Sequence, residues 1–227
     1  MRLQAAGAEG PLVPPSQGQP GLPDASIPSE PAADFPEELR GPRVLLRPLE
    51  LEDAAAVWTA VEESRGHLEP WLPWVQSLRS IEDARANIVM LRERAVLRAD
   101  WTVGIFDRVT GRYLGGSGLH RIRWDSRTFE IGYYIRASEE GKGYITESVQ
   151  LLTRLAFDRL RANRVEIYID PRNARSIRVP ERLGFVLDGT LRHFRAGAEG
   201  RLEDRYLFAL IRDDYHRLSW RKDQRNG

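Results

Sequence analysis

The chain has no cysteine, only two methionines and only four histidines among 227 residues. Without cysteine there is no disulfide, no thiolate metal site and no thiol nucleophile, a composition that suits a reducing cytoplasm. The histidines, His67, His120, His193 and His216, show no metal-ligand spacing, so no metal is expected. Long apolar runs are also missing. None approaches the roughly 18 residues that span a bilayer, and the opening MRLQAAGAEGPLVPP holds no continuous apolar stretch of the secretory kind. A cytoplasmic location is the expectation. Charge of one sign is not in excess either: 34 basic residues face 33 acidic ones, a net charge of +1. That balance gives no chain-wide attraction to nucleic acid or to a membrane.

What is present is unevenly spread. Eight of the fourteen prolines fall in the first 40 residues, where two arginines face six acids and no apolar periodicity is visible. Residues 1–38 therefore read as a Pro-rich, disordered extension. The remainder, 41% hydrophobic over the whole chain, supports one ordinary domain over 39–215 and a polar tail over 216–227.

Within the domain, RVLLR (43–47) reads as a strand and LEDAAAVWTAVEE (51–63) as a helix. SIEDARANIVMLRERAVLR (80–98) reads as a second helix capped by Ser80. DWTVGIFD and YLGGSGLHRI flank VTGR as a hairpin, and TFEIGYYI (128–135) follows as a strand in which Gly132 suggests a bulge. RVEIYID (164–170) is a strand. Asn173 is placed to cap a helix ending at Gly184, with a local break expected at Pro180, whose missing N–H leaves the Ser176 carbonyl unpaired. FVLDGTLRHF and EDRYLFALI complete a second hairpin. The order implies an α/β (α+β) domain with a mixed, mostly antiparallel sheet.

Between TFEIGYYI and the next helix lies EEGKGYITESVQLL (139–152), two glycines around a lysine at a helix start. It is not a P-loop, because Arg136 stands where the first glycine belongs and Gly143 follows Lys142. Nor is it a dinucleotide fingerprint, whose third glycine is replaced by Thr146. What remains is general physics: glycines allow close backbone approach, and free N–H groups with the positive end of the helix dipole suit an anion such as a pyrophosphate.

The turn, TFEIGYYI before it and DPRNARSIRVPERLGF after it, with RGPRVLLRPLELEDA, ESRGHLEPWLPW and GRLEDRYLFAL, resemble the GNAT N-acetyltransferases. Within them the likeness is to the RimJ/RimL-like branch of ribosomal-protein N-terminal acetyltransferases, over residues 40–212. The resemblance implies a GNAT fold and acetyl-CoA as acetyl donor. It implies that Gly141, Lys142, Gly143, Tyr144, Ile145 and Thr146 hold the pyrophosphate. It implies further that Tyr133, Tyr134, Ile135 and Arg136 line the pantetheine arm, with Asn173 hydrogen-bonding to it. Two positions depart from the family: Glu140 replaces a Gln or Arg at the head of the turn, and Ile145 replaces a small residue.

Acetyl transfer needs a neutral amine, a stabilised oxyanion and a protonated leaving thiolate. Lacking cysteine, the chain points to direct attack by the amine in a ternary complex, with a backbone N–H near Tyr134 or Ile135 meeting the oxyanion. Glu130, on the strand leading to the thioester, is the first candidate base, with Asp204 as the alternative. By the resemblance Ser176 is the acid for the thiolate, with Tyr168 and Tyr144 as alternatives. Trp71, Trp74, His120 and Asp204 are candidates for the acceptor side. The acceptor is a primary amine, either a protein N-terminus or a small molecule such as an amino acid, polyamine or aminated antibiotic. A protein acceptor predicts an open, acidic-lined groove between the tryptophans and the last hairpin, and a small one predicts a closed pocket. A CoA-binding module without catalysis is the reading from another class, supported by Glu140 and by the absence, near Arg195, of the glutamate that part of the family carries in the loop after the LGF segment. The resemblance also allows a homodimer.

Overall fold

The computed structural model describes residues 34–197 and 201–221. Eight strands form one sheet: β1 (Leu39–Arg40), β2 (Val44–Arg47), β3 (Trp101–Asp107), β4 (Tyr113–Arg123), β5 (Thr128–Ile135), β6 (Arg164–Ile169), β7 (Val186–Ala196) and β8 (Leu202–Ile211). Their order across the sheet is β1-β2-β3-β4-β5-β6-β8-β7. Every neighbouring pair is antiparallel except β5 and β6. Among the described residues six α-helices complete the domain: α1 (Ala54–Glu63), α2 (Arg65–Leu68), α3 (Ile81–Val96), α4 (Tyr144–Arg154), α5 (Ala174–Leu183) and α6 (Arg212–Arg217). The mixed α/β sheet of the sequence reading is the architecture observed.

Strand alternation divides the core between two faces. Phe129, Ile131 and Ile135 of β5 enter a cluster with Val149 and Leu152 of α4 and Leu183 of α5. Tyr134 points the other way, against a cluster built on Val57 and Val61 of α1 and Ile88 of α3. Ser80 caps α3 as expected, its hydroxyl accepting the Asp83 N–H at 3.0 Å. Two residues of the proposed extension belong to this packing: the Phe35 ring stacks on Trp101 with centroids 5.4 Å apart, and Asp34 pairs with Arg98. Residues 1–33 of that extension lie outside the described residues, as do 222–227 of the tail.

Two local expectations are corrected. Gly132 makes no bulge; it pairs regularly with Gly118, and the irregularity in that ladder lies between His120 and Arg123. Gly132 is small for another reason, since a Cβ there would meet the His120 ring at 3.2 Å. Nor does Pro180 break α5, which runs unbroken from Ala174 to Leu183. The carbonyl that Pro180 leaves without a helical partner is that of Ser176, and the Tyr133 hydroxyl donates to it at 2.9 Å. A tertiary hydrogen bond replaces the missing helical one.

Candidate active site

The parallel pair at the centre of the sheet does not stay paired. β5 and β6 are in register only through Thr128↔Arg164, Phe129↔Val165 and Glu130↔Glu166. Beyond them the strands part, and a cavity of about 690 Å³ opens between Ile131–Ile135 and Ile167–Ile169. The volume is that of a small-molecule site.

The backbone of β5 addresses this gap in alternation. The Arg136 N–H donates to Leu114 of β4, and the Gly132 carbonyl accepts from the Ser117 hydroxyl, also on β4. By strand periodicity Tyr134 faces β4 as well, so Tyr133 and Ile135 turn their N–H and C=O groups into the gap. Of the two oxyanion donors considered, Ile135 is the one that faces the cavity.

At the wide end of the gap stands the glycine turn. Gly141 and Gly143 have φ values of 72° and 85°, the left-handed region open to glycine without strain. Gly143 is the N-cap of α4, and no side chain caps that helix, which leaves its first N–H groups for a ligand. A residue that the sequence placed only in a strand fixes the turn. Arg43 on the approach to β2 donates to the Lys142 carbonyl at 2.8 Å and to Glu147 at 2.9 Å. The buried Glu147 carboxylate also accepts the Arg43 and Val44 N–H groups at 2.7 and 3.0 Å. Its place in the first turn of α4 favours the negative charge. The cations and anions near the turn are paired among themselves. Lys142 bonds to Glu139 at 2.8 Å, and Glu140 lies between Arg175 at 2.5 Å and His67 at 2.8 Å.

At the narrow end, Glu130 lines the cavity with an 18% exposed side chain. Arg121 is 3.4 Å from Oε2, an ion pair without a hydrogen bond. Burial raises the Glu130 pKa, Arg121 opposes it, and the neighbouring carboxylates of Glu166 and Asp100 add to the rise. Asn173 caps α5 through its Oδ1, which accepts the Ser176 N–H at 3.1 Å, leaving the amide NH₂ as its donor. Ser176 also lines the cavity, as do Tyr144, Ile145, Thr146 and Trp71. Tyr168, one of the alternative acids, donates its hydroxyl to Glu166 at 3.0 Å, and burial with that carboxylate pushes its pKa up to about 12.

Five side chains named from sequence stand off the cavity wall. Arg136 is buried against α1, bonded to Glu63 at 3.0 Å. Lys142 turns to Glu139. Trp74 packs at 5.2 Å on the Tyr134 ring. His120 lies over Gly118 and Gly132, where burial lowers its pKa. Asp204 accepts the His193 N–H at 2.9 Å within the last hairpin, where His193 has a φ of 52°. In their place the structure brings Arg121, Phe194 and Arg195 to the cavity wall, and His67 to the glycine turn. Their sequence signal is weak, since each sits in a segment that reads as ordinary strand or turn.

Arg195 reaches across the cavity mouth, donating to the Trp71 carbonyl at 3.0 Å. It also meets Glu203, which bonds Arg172 and Arg205 at 2.9 Å each. Arg172 and Arg205 converge on Asp170. Burial raises the Asp170 pKa, but the hydrogen bonds and charge of Arg172 with the charge of Arg205 outweigh it and bring it down to about 2.

A family model described as an acetyltransferase (GNAT) domain matches residues 43–186. A probable N-acetyltransferase of Bacillus subtilis, YjcK, is 32% identical over 178 residues, covering 78% of this chain and 98% of its own. The ribosomal-protein-serine acetyltransferase of Escherichia coli is 28% identical over 134 residues, 55% of this chain and 69% of its own. Among solved structures, a probable acetyltransferase superposes with a TM-score of 0.73 at 28% identity, covering 78% of this chain and 98% of that one. RimL, a ribosomal L7/L12 alpha-N-protein acetyltransferase solved with coenzyme A, shares the fold at a TM-score of 0.71 and 22% identity, covering 77% and 97%.

Proposed function

The chain belongs to the GNAT acetyltransferase family and is an N-acetyltransferase, and from that premise we propose that it transfers the acetyl group of acetyl-CoA to a primary amine by direct attack in a ternary complex. The observation that carries the reading is the parting of β5 from β6 beyond Glu130↔Glu166, which leaves the Tyr133 and Ile135 backbone without a strand partner on that side. An extended amide-bearing arm fits that edge. The uncapped start of α4 at the wide end of the same cavity fits the pyrophosphate.

In this reading Glu130 accepts the proton of the attacking amine, directly or through a water, as nitrogen bonds to the acyl carbon. The Ile135 N–H stabilises the oxygen that gains charge. As the carbon–sulfur bond breaks, Ser176 presents its hydroxyl proton to the departing thiolate. Glu140 gives no support to a non-catalytic module, because the Arg175 guanidinium pairs with its charge.

The acceptor we favour is a protein N-terminal α-amine, supported by the similarity to the ribosomal-protein-serine acetyltransferase. Its pKa near 8 makes a modest base sufficient. A specific observation favours a small amine as the second reading: the Arg195–Trp71 bond ties the tryptophan segment to the last hairpin, where a protein acceptor would need an open groove. CoA release from acetyl-CoA, measured with wild type and Ser176→Ala, decides between them. The panel holds short Ser-, Ala- and Met-starting peptides, amino acids, polyamines and aminoglycosides. Turnover on peptides alone supports the first reading, and turnover on one small amine replaces it with the second. Acetyl-CoA binding without turnover of any amine would count against both.

A further inference from the structure

Six arginines line the cavity, and four of them are engaged by carboxylates. Arg121 meets Glu130, Arg175 meets Glu140, Arg195 meets Glu203, and Arg205 meets both Asp170 and Glu203. The remaining acid of the wall, Glu139, is held by Arg112 and Lys142. No carboxylate of the wall is left without a cation. Two guanidinium groups are left without an anion: among the described residues, Arg178 and Arg182 make no hydrogen bond or ion pair.

These two are not scattered. Arg175, Arg178 and Arg182 are three and four residues apart, one stripe along α5, while Ile177 and Leu183 turn toward the core. The stripe is anchored where it begins, because Arg175 grips Glu140 at the head of the glycine turn at 2.5 Å. At the helical rise, Arg178 and Arg182 follow at about 4.5 and 10.5 Å along the axis from Arg175. The uncompensated charge of the cavity therefore lies on one face of one helix, leading away from the turn. Both residues are exposed, as suits a group that stays near the mouth.

If the turn holds the pyrophosphate of acetyl-CoA, the donor carries a further anion one sugar away, the phosphomonoester on the 3′ carbon of its ribose. A dianionic phosphate matches two guanidinium forks one helical turn apart. We propose that Arg178 and Arg182 recognise this 3′-phosphate and so make the enzyme prefer CoA thioesters to their 3′-dephospho counterparts. The inference rests on the acetyl-CoA reading above and adds to it a specificity that the backbone-lined turn alone does not supply, since the pyrophosphate is common to both donors.

Calorimetric titration of the full chain with CoA and with 3′-dephospho-CoA tests this without knowledge of the acceptor. The wild type is expected to bind CoA roughly tenfold more tightly. The double variant Arg178→Gln/Arg182→Gln, changed only at exposed positions, is expected to bind both ligands alike, at the wild type's affinity for 3′-dephospho-CoA. Adenosine 3′,5′-bisphosphate should compete better than adenosine 5′-monophosphate with the wild type and equally with the variant, which separates the 3′-phosphate from free or acceptor phosphate. Equal binding of both ligands by the wild type, or a preference that survives in the variant, overturns the inference and leaves the donor reading standing. Failure of the wild type to bind either ligand overturns both.

Discussion

The two ends of the cavity are built from different materials. At the wide end the ligand-facing groups are backbone: glycines with positive φ, a helix start without a side-chain cap, and the unpaired edge of β5. The charged residues there serve the turn itself, Arg43 through Lys142 and Glu147, Lys142 through Glu139, and Glu140 between Arg175 and His67. At the narrow end the working group is a side chain, Glu130, which has a buried oxygen without a hydrogen bond. Across the mouth, past the end of β6, Arg195, Arg205, Asp170 and Glu203 form a bonded rim of side chains. Backbone recognition depends on conformation and tolerates most side-chain changes. Side-chain chemistry depends on identity at single positions. The donor end should therefore be sensitive to shape and the acceptor end to charge.

The sharpest way to break that contrast is Glu130→Gln, which keeps shape and removes the base. It should lower kcat by on the order of 10²–10⁴-fold while leaving the KM for acetyl-CoA unchanged, in steady-state kinetics. The wild-type rate should fall on the acid side through a group titrating above the ordinary glutamate range, and the variant should lose that limb. The folded-state pKa is raised, so the folded protein holds this proton more tightly than the unfolded chain. The contribution of Glu130 to stability is then greatest below its unfolded pKa and declines as pH rises through its folded one. At neutral pH the variant should melt no lower than wild type. A lower melting temperature with unchanged kcat would make Glu130 a structural residue and cancel the distinction between the ends.

A smaller effect, of the opposite kind, belongs to Gly143→Ala. At a φ of 85° a Cβ is strained by about 1–2 kcal/mol and here also approaches the Arg43 guanidinium at 3.2 Å. The KM for acetyl-CoA should rise about tenfold with kcat retained for saturating donor. An unchanged KM would show that the turn is not where the donor binds. The smallest effect is expected from Lys142→Ala, whose half-exposed partner bond to Glu139 is of the surface kind, worth about 0–1 kcal/mol. Donor KM should stay within about twofold. A tenfold loss would mean that the lysine turns toward the ligand and that the wide end, too, works through side-chain charge.

The sequence was most legible where local rules act alone. The Ser80 cap, the Gly184 stop, the strand alternation of RVEIYID and the order of elements all follow from spacing and turn chemistry, and each recurs in the fold. The glycine turn was readable because few other structures require left-handed residues at a helix start. What stayed hidden depends on contacts between distant segments. Arg43 reads as the edge of a strand, and only the fold brings it against Lys142 and Glu147. His120 read as a site residue because it ends a central strand, yet cross-strand neighbours decide that its ring lies over Gly118 and Gly132. Pro180 read as a break, since a helix rule cannot foresee a hydroxyl arriving from Tyr133.

That hydroxyl has a consequence for how the sequence can drift over generations. Pro180 and Tyr133 act on one carbonyl, the first by withholding a donor and the second by supplying one. A lineage that lost the tyrosine hydroxyl while keeping the proline would leave the Ser176 carbonyl orphaned beside the proposed acid. A lineage that replaced the proline would give the carbonyl a helical donor and release the tyrosine to other uses. The pair should therefore be inherited together or exchanged together, and divergent relatives should carry both residues or neither.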